Sequence, residues 1–262
     1  MDLSTALFRV KRYVIYWLQC VDQHSLQAPY VFELYNEVFR GVQKADSSEI
    51  ATALHQLQSD HREVPTQSGA GSSLTTKKYT VSQIAKHGIT DLRHAQLIQR
   101  IIDYHAFSTV LELGASIGVN TIRLCNSSLH SIVTVERNDV LIDVASELFK
   151  KLGLTDRIEL VHADVEVVLR DFVKQKRRFG LIFLDANHTY EGTLAYSELM
   201  FRLVDQNHGV VVFDDINWSS GMRRAWDELS KKFDKGVVLE TYQMGFLFFN
   251  PRLQRGKYIV DF

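Results

Sequence analysis

Cysteine, proline and long apolar runs are scarce in this chain of 262 residues. Its two cysteines, Cys20 and Cys125, lie far apart and form no Cys-x-x-Cys or Cys/His spacing, so the sequence holds no zinc motif. Isolated thiols of this kind are typical of buried apolar positions in a reducing compartment, and we expect the cytoplasm. No apolar run reaches the roughly 18 residues of a membrane-spanning helix, so no membrane span is predicted.

The chain also has no large excess of positive or of negative residues. The formal net charge is −1, and charged residues make up 23% of the chain against 45% hydrophobic residues. This balance is ordinary for a folded domain and disfavours a nucleic-acid partner. The basic, apolar stretch Leu7–Leu18 carries charges too early for a signal peptide. It fits either an interfacial helix on a membrane or a helix packed on the main domain or on a second copy in a homodimer.

The N-terminal part of the chain, residues 1–106, has the apolar spacing of helices. Apolar residues recur three or four positions apart within Phe32–Phe39 and again within Leu97–Ile102. Residues 61–76 are rich in glycine, serine and threonine, a composition typical of a flexible loop. This loop is either a lid over a ligand or a plain connector. If it is a lid, the residues from Lys77 to Tyr79 lie close enough to contact that ligand.

Residues 107–262 have a different pattern, in which short β-branched runs alternate with helical stretches. The five predicted strands of this part are Thr109–Gly114, Ser131–Glu136, Ile158–Ala163, Gly180–Asp185 and Gly209–Asp214. Strands that alternate with helices form right-handed βαβ units and a parallel sheet. Two later runs, Val237–Tyr242 and Phe246–Phe249, are joined by a turn too short for a crossover helix. The sequence therefore predicts an α/β domain of five parallel βα units closed by an antiparallel C-terminal hairpin.

Ligands of open α/β sheets bind at the carboxyl ends of the strands, so the strand ends are the candidate site. The first strand ends in Glu112-Leu113-Gly114-Ala115-Ser116-Ile117-Gly118, a glycine-containing turn into a helix whose backbone N–H groups attract a carboxylate. Glu136 ends the second strand about 20 residues later, where an acidic side chain accepts hydrogen bonds from ribose hydroxyls. Asp164 follows the third strand, where it accepts from an adenine amino group or only caps the next helix.

Together these strand ends resemble the cofactor motifs of class I S-adenosylmethionine (SAM)-dependent methyltransferases. The resemblance covers about residues 108–250 and implies a Rossmann-like methyltransferase sheet behind an N-terminal helical cap. The cofactor-binding residues that it implies are Glu112, Gly114, Ala115, Ser116, Gly118, Glu136, Asp164 and Asp185. The glycines line the methionine part of SAM, Glu136 binds its ribose and Asp164 faces its adenine. Ser116 stands where the NAD-binding fingerprint has its second glycine, which disfavours an NAD-dependent oxidoreductase.

The fourth and fifth strand ends place three carboxylates, those of Asp185, Asp214 and Asp215, at one edge of the sheet. Three converging carboxylates repel one another unless a cation lies between them, and Mg²⁺ with oxygen ligands is the simplest such cation. It would orient an acceptor hydroxyl and stabilise its oxyanion. The alternative is that these residues form turns and helix caps. His188 is the candidate general base, or else a structural hydrogen-bonding residue.

These two strand ends resemble those of metal-dependent small-molecule O-methyltransferases of the catechol and macrolide-sugar types. The resemblance implies that Asp185, Asp214 and Asp215 hold the metal and that Asp185 and His188 are catalytic. His188 and Asn187 stand where the two types place a lysine and an aspartate base. The run that begins at Asp185 is also similar to uncharacterised bacterial SAM methyltransferases, and residues 24–35 are similar to a subgroup found in Bacteroidetes.

The function that these patterns predict is O-methylation of a small hydroxylated acceptor with SAM, assisted by Mg²⁺. One alternative is a methyltransferase of another target, either an N-methyl or a macromolecular one. The absence of an Asn/Asp-Pro-Pro-Tyr motif and the near-neutral charge disfavour methylation of nucleobase amino groups. An NAD-dependent oxidoreductase and a non-catalytic SAM-binding protein are the remaining alternatives.

Overall fold

The computed structural model of the chain describes residues 3–42, 45–65, 78–125, 129 and 131–262. Within these residues the α-helices are α1 Leu3–Gln19, α2 Pro29–Leu34, α3 Ser48–Leu57, α4 Val81–His87, α5 Leu92–Tyr104, α6 Val119–Leu124, α7 Asp139–Lys151, α8 Val165–Lys174, α9 Tyr190–Leu203 and α10 Ser220–Lys232. A 3₁₀ turn, Gln23–Ser25, precedes α2 and a π-helical turn, Tyr35–Phe39, follows it. Residues 66–76 of the predicted loop, and Lys77 after it, lie outside the described residues.

The strands of the described residues are β1 Glu63–Pro65, β2 Lys78–Thr80, β3 Thr109–Leu113, β4 Ser131–Glu136, β5 Ile158–His162, β6 Leu181–Leu184, β7 Val210–Phe213, β8 Gly236–Glu240, β9 Gly245–Phe249 and β10 Gly256–Ile259. Eight of these strands form one sheet in the order β10-β8-β9-β7-β6-β3-β4-β5. The strands from β3 to β7 are parallel to one another, and β9 runs antiparallel between β7 and β8. The predicted parallel sheet and its closing hairpin are thereby confirmed.

The sequence analysis missed three short strands. β10 pairs in parallel with β8 at the edge of the sheet, with Lys257 opposite Val238. β1 and β2 form a separate antiparallel pair that joins Glu63 to Thr80. An edge strand is covered on fewer sides than a central strand, so its sequence lacks the continuous apolar run by which the inner strands are recognised.

Side chains at the helix starts explain where several helices begin. Ser47 accepts a hydrogen bond from the Ile50 N–H at the start of α3. Thr80 and Gln83 form a reciprocal capping box at the start of α4. Such caps satisfy backbone N–H groups that have no partner inside the helix. These two caps therefore set where α3 and α4 begin, in the part of the chain that precedes the central sheet.

Two apolar clusters cover the two faces of the central sheet. On one face, Val110, Ile132 and Phe183 pack with residues of α2, α3 and α5, such as Leu34 and Ile98. The opposite face packs against α8, α9 and α10. The N-terminal helices thus share a continuous core with the sheet. The division into residues 1–106 and 107–262 stays a prediction, because this core runs across the proposed boundary.

Helix α1 is tied to the C-terminal end of the chain. The Tyr16 hydroxyl donates to the Val260 carbonyl at 2.8 Å and accepts from the Phe262 N–H at 3.2 Å. The Val21 N–H, just after α1, donates to the Ile259 carbonyl at 2.8 Å. These bonds hold the C-terminal half of α1 against the β10 edge. In the part of the chain that the structure describes, none of the helices has the length and apolar character needed to cross a bilayer.

We expect Tyr16→Phe to lower the free energy of unfolding by about 1–3 kcal/mol, because it leaves a buried carbonyl and N–H without a partner. Tyr13→Phe on the same helix is the control, and it should change stability by less than about 0.5 kcal/mol. Tyr13 is 53% exposed, whereas Tyr16 is 6% exposed. Urea unfolding of both variants measures the difference, and equal losses would mean that the Tyr16 hydroxyl does not anchor α1.

Candidate active site

A cavity of about 820 Å³ opens at the carboxyl ends of the parallel strands. Turns that follow β3, β4, β5, β6 and β7 all contribute to its wall. Eight of the residues predicted from the sequence line it: Gly114, Ser116, Glu136, Asp164, Asp185, His188, Asp214 and Asp215. The topology therefore brings the predicted cofactor residues and the predicted reaction residues into one space, as expected for the edge of an open α/β sheet.

Gly114 allows the ends of β3 and β6 to approach closely. Its φ is +111°, and a Cβ added there would lie 2.3 Å from the backbone carbonyl oxygen of Asp185. The Asp185 N–H donates to the Leu113 carbonyl at 3.0 Å, which extends the pairing of the two strands to this point. Only glycine fits both the backbone angle and the space. The glycine-containing turn and the acidic turn after β6 are consequently neighbours.

Three turns of the cavity wall hold a non-glycine residue in the left-handed conformation. Ser116 has a φ of +50°, Asn187 of +50° and Asp215 of +55°. These residues follow β3, β6 and β7, and all three line the cavity. Such conformations cost energy, and strained residues of this kind concentrate at functional sites.

Glu136 links the second strand end to the glycine-containing turn. Its Oε2 accepts a hydrogen bond from the Ser116 N–H at 3.0 Å. Its Oε1 accepts from the N–H groups of Arg137 at 2.8 Å and Asn138 at 2.9 Å. A carboxylate has about four lone-pair sites, so these bonds orient the group and leave capacity for a ligand hydroxyl.

Asp164 caps helix α8 as well as lining the cavity. Its Oδ1 accepts from the Glu166 N–H at 2.9 Å, and its Oδ2 lies 3.6 Å from Nη1 of Arg137. The side chain is 43% exposed. The capping alternative considered from the sequence is thus observed, and Asp164 and its neighbour Arg137 both line the cavity.

Three predicted cofactor residues lie away from the cavity. Glu112 is fully buried, and its carboxylate accepts from Asn120 at 2.6 Å, Thr121 at 2.5 Å and Thr134 at 2.6 Å. Burial raises the pKa of Glu112 above its ordinary value. The structure places Glu112 behind the turn and not in the cavity wall, and its contact with a cofactor stays a prediction.

The other two residues, Ala115 and Gly118, are part of the same turn but do not line the cavity. Ala115 is 2% exposed. A Cβ on Gly118 would lie 2.8 Å from the Phe149 ring, so this glycine serves helix packing. Their predicted contact with the cofactor likewise stays a prediction.

The acidic turns after β6 and β7 enclose three carboxylates. Burial raises the pKa of Asp185 and of Asp214 well above the ordinary value, and repulsion between neighbouring carboxylates raises them further. The side chain of Asp185 is nevertheless 26% exposed, because it faces the cavity rather than bulk solvent. Its Oδ2 accepts from the Thr90 hydroxyl at 3.3 Å. Burial and mutual repulsion therefore disfavour simultaneous ionisation of these carboxyl groups.

His188 lies beside this acidic group. Its Nε2 is 3.5 Å from Oδ1 of Asp185, and its side chain is 14% exposed. Burial lowers the pKa of His188, and the charge of Asp215 opposes that shift. A histidine kept neutral next to a carboxylate has the chemistry of a proton acceptor.

The predicted Mg²⁺ site is not assembled. Among the residues that the structure describes, no three His, Cys, Asp or Glu side chains converge closely enough to hold a metal ion. Oδ1 of Asp214 already accepts from the Asp215 N–H at 2.8 Å and from the Gln243 amide at 3.1 Å. Asp185 likewise accepts from Thr90, but these bonds leave lone pairs free on both carboxylates, so the lack of convergence alone excludes the three-ligand site. The side chains present do not fit the three-ligand site inferred from Asp185, Asp214 and Asp215.

Some residues of the cavity wall were not identified from the sequence as part of the site. Thr90 is 7% exposed, and its carbonyl accepts from Arg123 at 2.8 Å. Arg123 is in turn paired with Asp46 at 2.9 Å. Arg9 of α1 also lines the cavity. The other residues were predicted because ligands bind at the carboxyl ends of parallel strands. Neither Thr90 nor Arg9 follows a strand, so this principle does not identify them. Tyr79, considered from the sequence, lines the cavity, and Lys77 lies outside the described residues.

Comparisons with known proteins agree with this architecture. Residues 111–216 match a family model described as a methyltransferase domain. That segment contains the glycine-containing turn, Glu136, Asp164 and the acidic turns. The predicted resemblance of this segment to methyltransferases is therefore confirmed, while the bounds 107–262 of the domain stay a prediction. No curated protein matches the sequence.

Solved structures share the fold at low sequence identity. An O-methyltransferase from Bacillus cereus, in complex with SAH, is 19% identical, covers 78% of this chain and 86% of its own, and has a TM-score of 0.55. The SAH-bound methyltransferase PaMTH1 from Podospora anserina is 16% identical, with coverages of 84% and 95% and a TM-score of 0.58. The O-methyltransferase TomG from Streptomyces achromogenes is 14% identical, with coverages of 80% and 92% and a TM-score of 0.54. The Rossmann-like class I methyltransferase fold is confirmed.

We expect Gly114→Ala to destabilise the protein by about 1–3 kcal/mol more than Gly153→Ala, because it combines a strained backbone with a clash against backbone. Gly153 is a matched control, since its φ is +66° but nothing lies within 4 Å of an added Cβ. Urea unfolding of the two variants measures the difference. Equal stability would show that the close approach of β3 and β6 is not a constraint.

Proposed function

We propose that this protein transfers the methyl group of SAM to a hydroxyl of a small acceptor. The observation that carries the proposal is that a single cavity contains both the predicted cofactor residues and the predicted reaction residues. Gly114, Ser116, Glu136 and Asp164 line one part of it, and the acidic turns with His188 line the rest. A methyl donor and an acceptor bound in the same cavity can be aligned for direct transfer. The named O-methyltransferases of the same fold support this reading.

The cofactor part of the cavity has the groups that SAM requires. Glu136 is oriented by three backbone N–H groups, which leaves its carboxylate available to ribose hydroxyls. Asp164 and the flanking Ala163 line the next stretch of wall, where adenine would lie. The turn around Gly114 would receive the methionine part. SAM, when bound, supplies a methyl group on a positively charged sulfonium.

The acceptor part of the cavity contains a side chain that can take the proton that the acceptor hydroxyl must lose. In the transfer, a bond forms between the acceptor oxygen and the methyl carbon while the bond from sulfur to that carbon breaks. We assign His188 to take the hydroxyl proton, and Asp185, 3.5 Å from its Nε2, to orient the ring. The buried carboxylates favour a sulfonium nearby, since opposite charges attract strongly where water is scarce. No step is assigned to Mg²⁺, because the side chains do not fit its predicted site.

The remaining expectations from the sequence stay predictions. A cytoplasmic location agrees with the free thiols of Cys20 and Cys125. A homodimer agrees with the exposed apolar side chains along α1, such as Val10 and Trp17. A small-molecule acceptor agrees with the cavity volume of about 820 Å³, which is within the range of small-molecule sites.

We expect Glu136→Gln to weaken SAM binding by about 1–3 kcal/mol, the effect of losing a charged acceptor. Calorimetric titration with SAM and with NAD measures this, and NAD should not bind. Glu159→Gln is the control, because Glu159 pairs with Arg177 on the surface and does not line the cavity. Binding of NAD in place of SAM, or of neither, would refute the proposed function.

We expect His188→Gln to lower the rate of methyl transfer by roughly 10²–10⁴, the usual contribution of a general base, while SAM affinity stays within twofold. Formation of SAH during incubation with a panel of hydroxylated small molecules gives the rate. His162→Gln serves as a control, since this histidine pairs with Asp139 and does not line the cavity. An unchanged rate in His188→Gln would remove His188 from the mechanism.

A further inference from the structure

The strand pair β1–β2 forms part of the cavity wall, although it precedes the central sheet in the chain. Val64 and Pro65 of β1 and Tyr79 of β2 line the same cavity as Glu136. Val64 is paired with Tyr79, and both residues are buried. The pair is a separate sheet that is not joined to the central one. Two strands alone are at best marginally stable in water, so the position of this pair depends on what holds it against the rest of the fold.

Asn138 connects this strand pair to the carboxylate that is predicted to bind ribose. Its side-chain Nδ2 donates to the Pro65 carbonyl at 3.1 Å, and its backbone N–H donates to Oε1 of Glu136 at 2.9 Å. Asn138 is 6% exposed, and it lines the cavity itself. The end of β1 therefore lies at the cofactor part of the cavity, linked to the Glu136 carboxylate through a single residue.

The orientation of the Asn138 side chain is fixed at both of its polar atoms. While Nδ2 donates to Pro65, Oδ1 accepts from the N–H groups of Val140 at 3.1 Å and Leu141 at 3.3 Å, at the start of α7. The opposite orientation of the amide would set donors against donors and an acceptor against an acceptor. The oxygen of this side chain therefore caps α7, and the nitrogen holds β1.

A second connection between β1 and α7 lies away from the cavity. Arg62, one residue before β1, donates through Nη1 and Nη2 to the two carboxylate oxygens of Glu147 at 3.0 and 2.9 Å. The Glu147 side chain is 65% exposed, and neither residue lines the cavity. Exposed ion pairs contribute little to stability. We therefore expect the buried Asn138 to determine where the end of β1 lies.

We propose that Asn138 is a positioning residue for the cofactor, because it holds the β1–β2 pair against the nucleoside part of the bound molecule. A ligand that contacts both Glu136 and this pair binds more tightly when the pair is held in place. By linkage, binding of that ligand holds the pair more firmly in return. The effect on SAM rests on the proposed function, whereas the anchoring of β1 by Asn138 in the ligand-free protein does not.

Asn138→Ser tests the proposal, because serine caps a helix as well as asparagine does but has no amide to reach the Pro65 carbonyl. In calorimetric titration we expect the dissociation constants of SAM and of SAH to rise roughly two- to tenfold, the effect of one lost hydrogen bond. The midpoint of urea unfolding of the ligand-free protein should stay at its wild-type value. A residue with only a structural role would lower that midpoint and leave the affinity unchanged.

Hydrogen exchange measured by mass spectrometry follows the strand pair directly. Saturating SAH should slow the exchange of residues 62–64 and 78–81 in the wild type, because the bound nucleoside packs against them. In Asn138→Ser this protection should be smaller at equal saturation, while residues 114–118 of the glycine-containing turn stay as protected as in the wild type. Without ligand, residues 62–64 of the variant should already exchange faster.

Two further variants separate the anchor from general causes. Glu147→Gln removes the ion pair with Arg62, leaves the bond from Asn138 to Pro65 in place, and should keep both the SAH affinity and the protection. Asn138→Ala removes the cap of α7 together with the anchor. It should lose as much affinity as Asn138→Ser, and it should also lower the midpoint of urea unfolding.

An Asn138→Ser variant that binds SAH as tightly as the wild type would overturn the proposal, and so would an equal loss of affinity in Glu147→Gln. Equal exchange of residues 62–64 in the ligand-free wild type and Asn138→Ser would overturn it as well. Failure of the wild type to bind SAM or SAH would refute the proposed function only, since the comparison of the ligand-free proteins still decides whether Asn138 anchors β1.

Discussion

The close approach of β3 and β6 at Gly114 is the constraint on which the site depends. A side chain at this position would meet the carbonyl oxygen of Asp185 at 2.3 Å, so the two strand ends can be neighbours only with glycine there. That contact sets the glycine-containing turn beside the acidic turn. It follows that a ligand held by the first turn reaches the groups of the second.

The carboxylates that lie where the glycine-containing turn meets the acidic turns have an electrostatic consequence. Asp214 is 3% exposed, and Asp185 faces a cavity rather than bulk solvent, so their negative charges are poorly screened. Such a cluster is stable only with compensating groups around it. Groups from three separate parts of the chain border the same cavity: His188 beside Asp185, the Thr90 hydroxyl, and Arg9 from the N-terminal helix. The helical segment is thereby part of the site as well as part of the core.

Local patterns were enough to predict seven of the eight strands of the main sheet and the strand ends that border the cavity. The strands from β3 to β7 are buried on both faces, so each appears as a continuous apolar run, and the residue that follows such a run lies at the binding edge. Glu136 and Asp185 were found in this way. The position of Glu112 could not be predicted in this way, because β3 is buried on both faces and its sequence does not reveal whether the acidic side chain points to a ligand or to Asn120 and Thr121 behind the turn.

The sequence alone thus determined the fold class, the order of the five parallel units and the strand ends that form the site, because these follow from periodicity and from short-range turn chemistry. Only the tertiary structure decided how the charges at the site are balanced. Arg9 lies more than 200 positions before its partner Trp218, and Thr90 reaches Asp185 from the helical segment. Contacts between such distant residues depend on how whole helices dock on the sheet, and no local spacing encodes that arrangement.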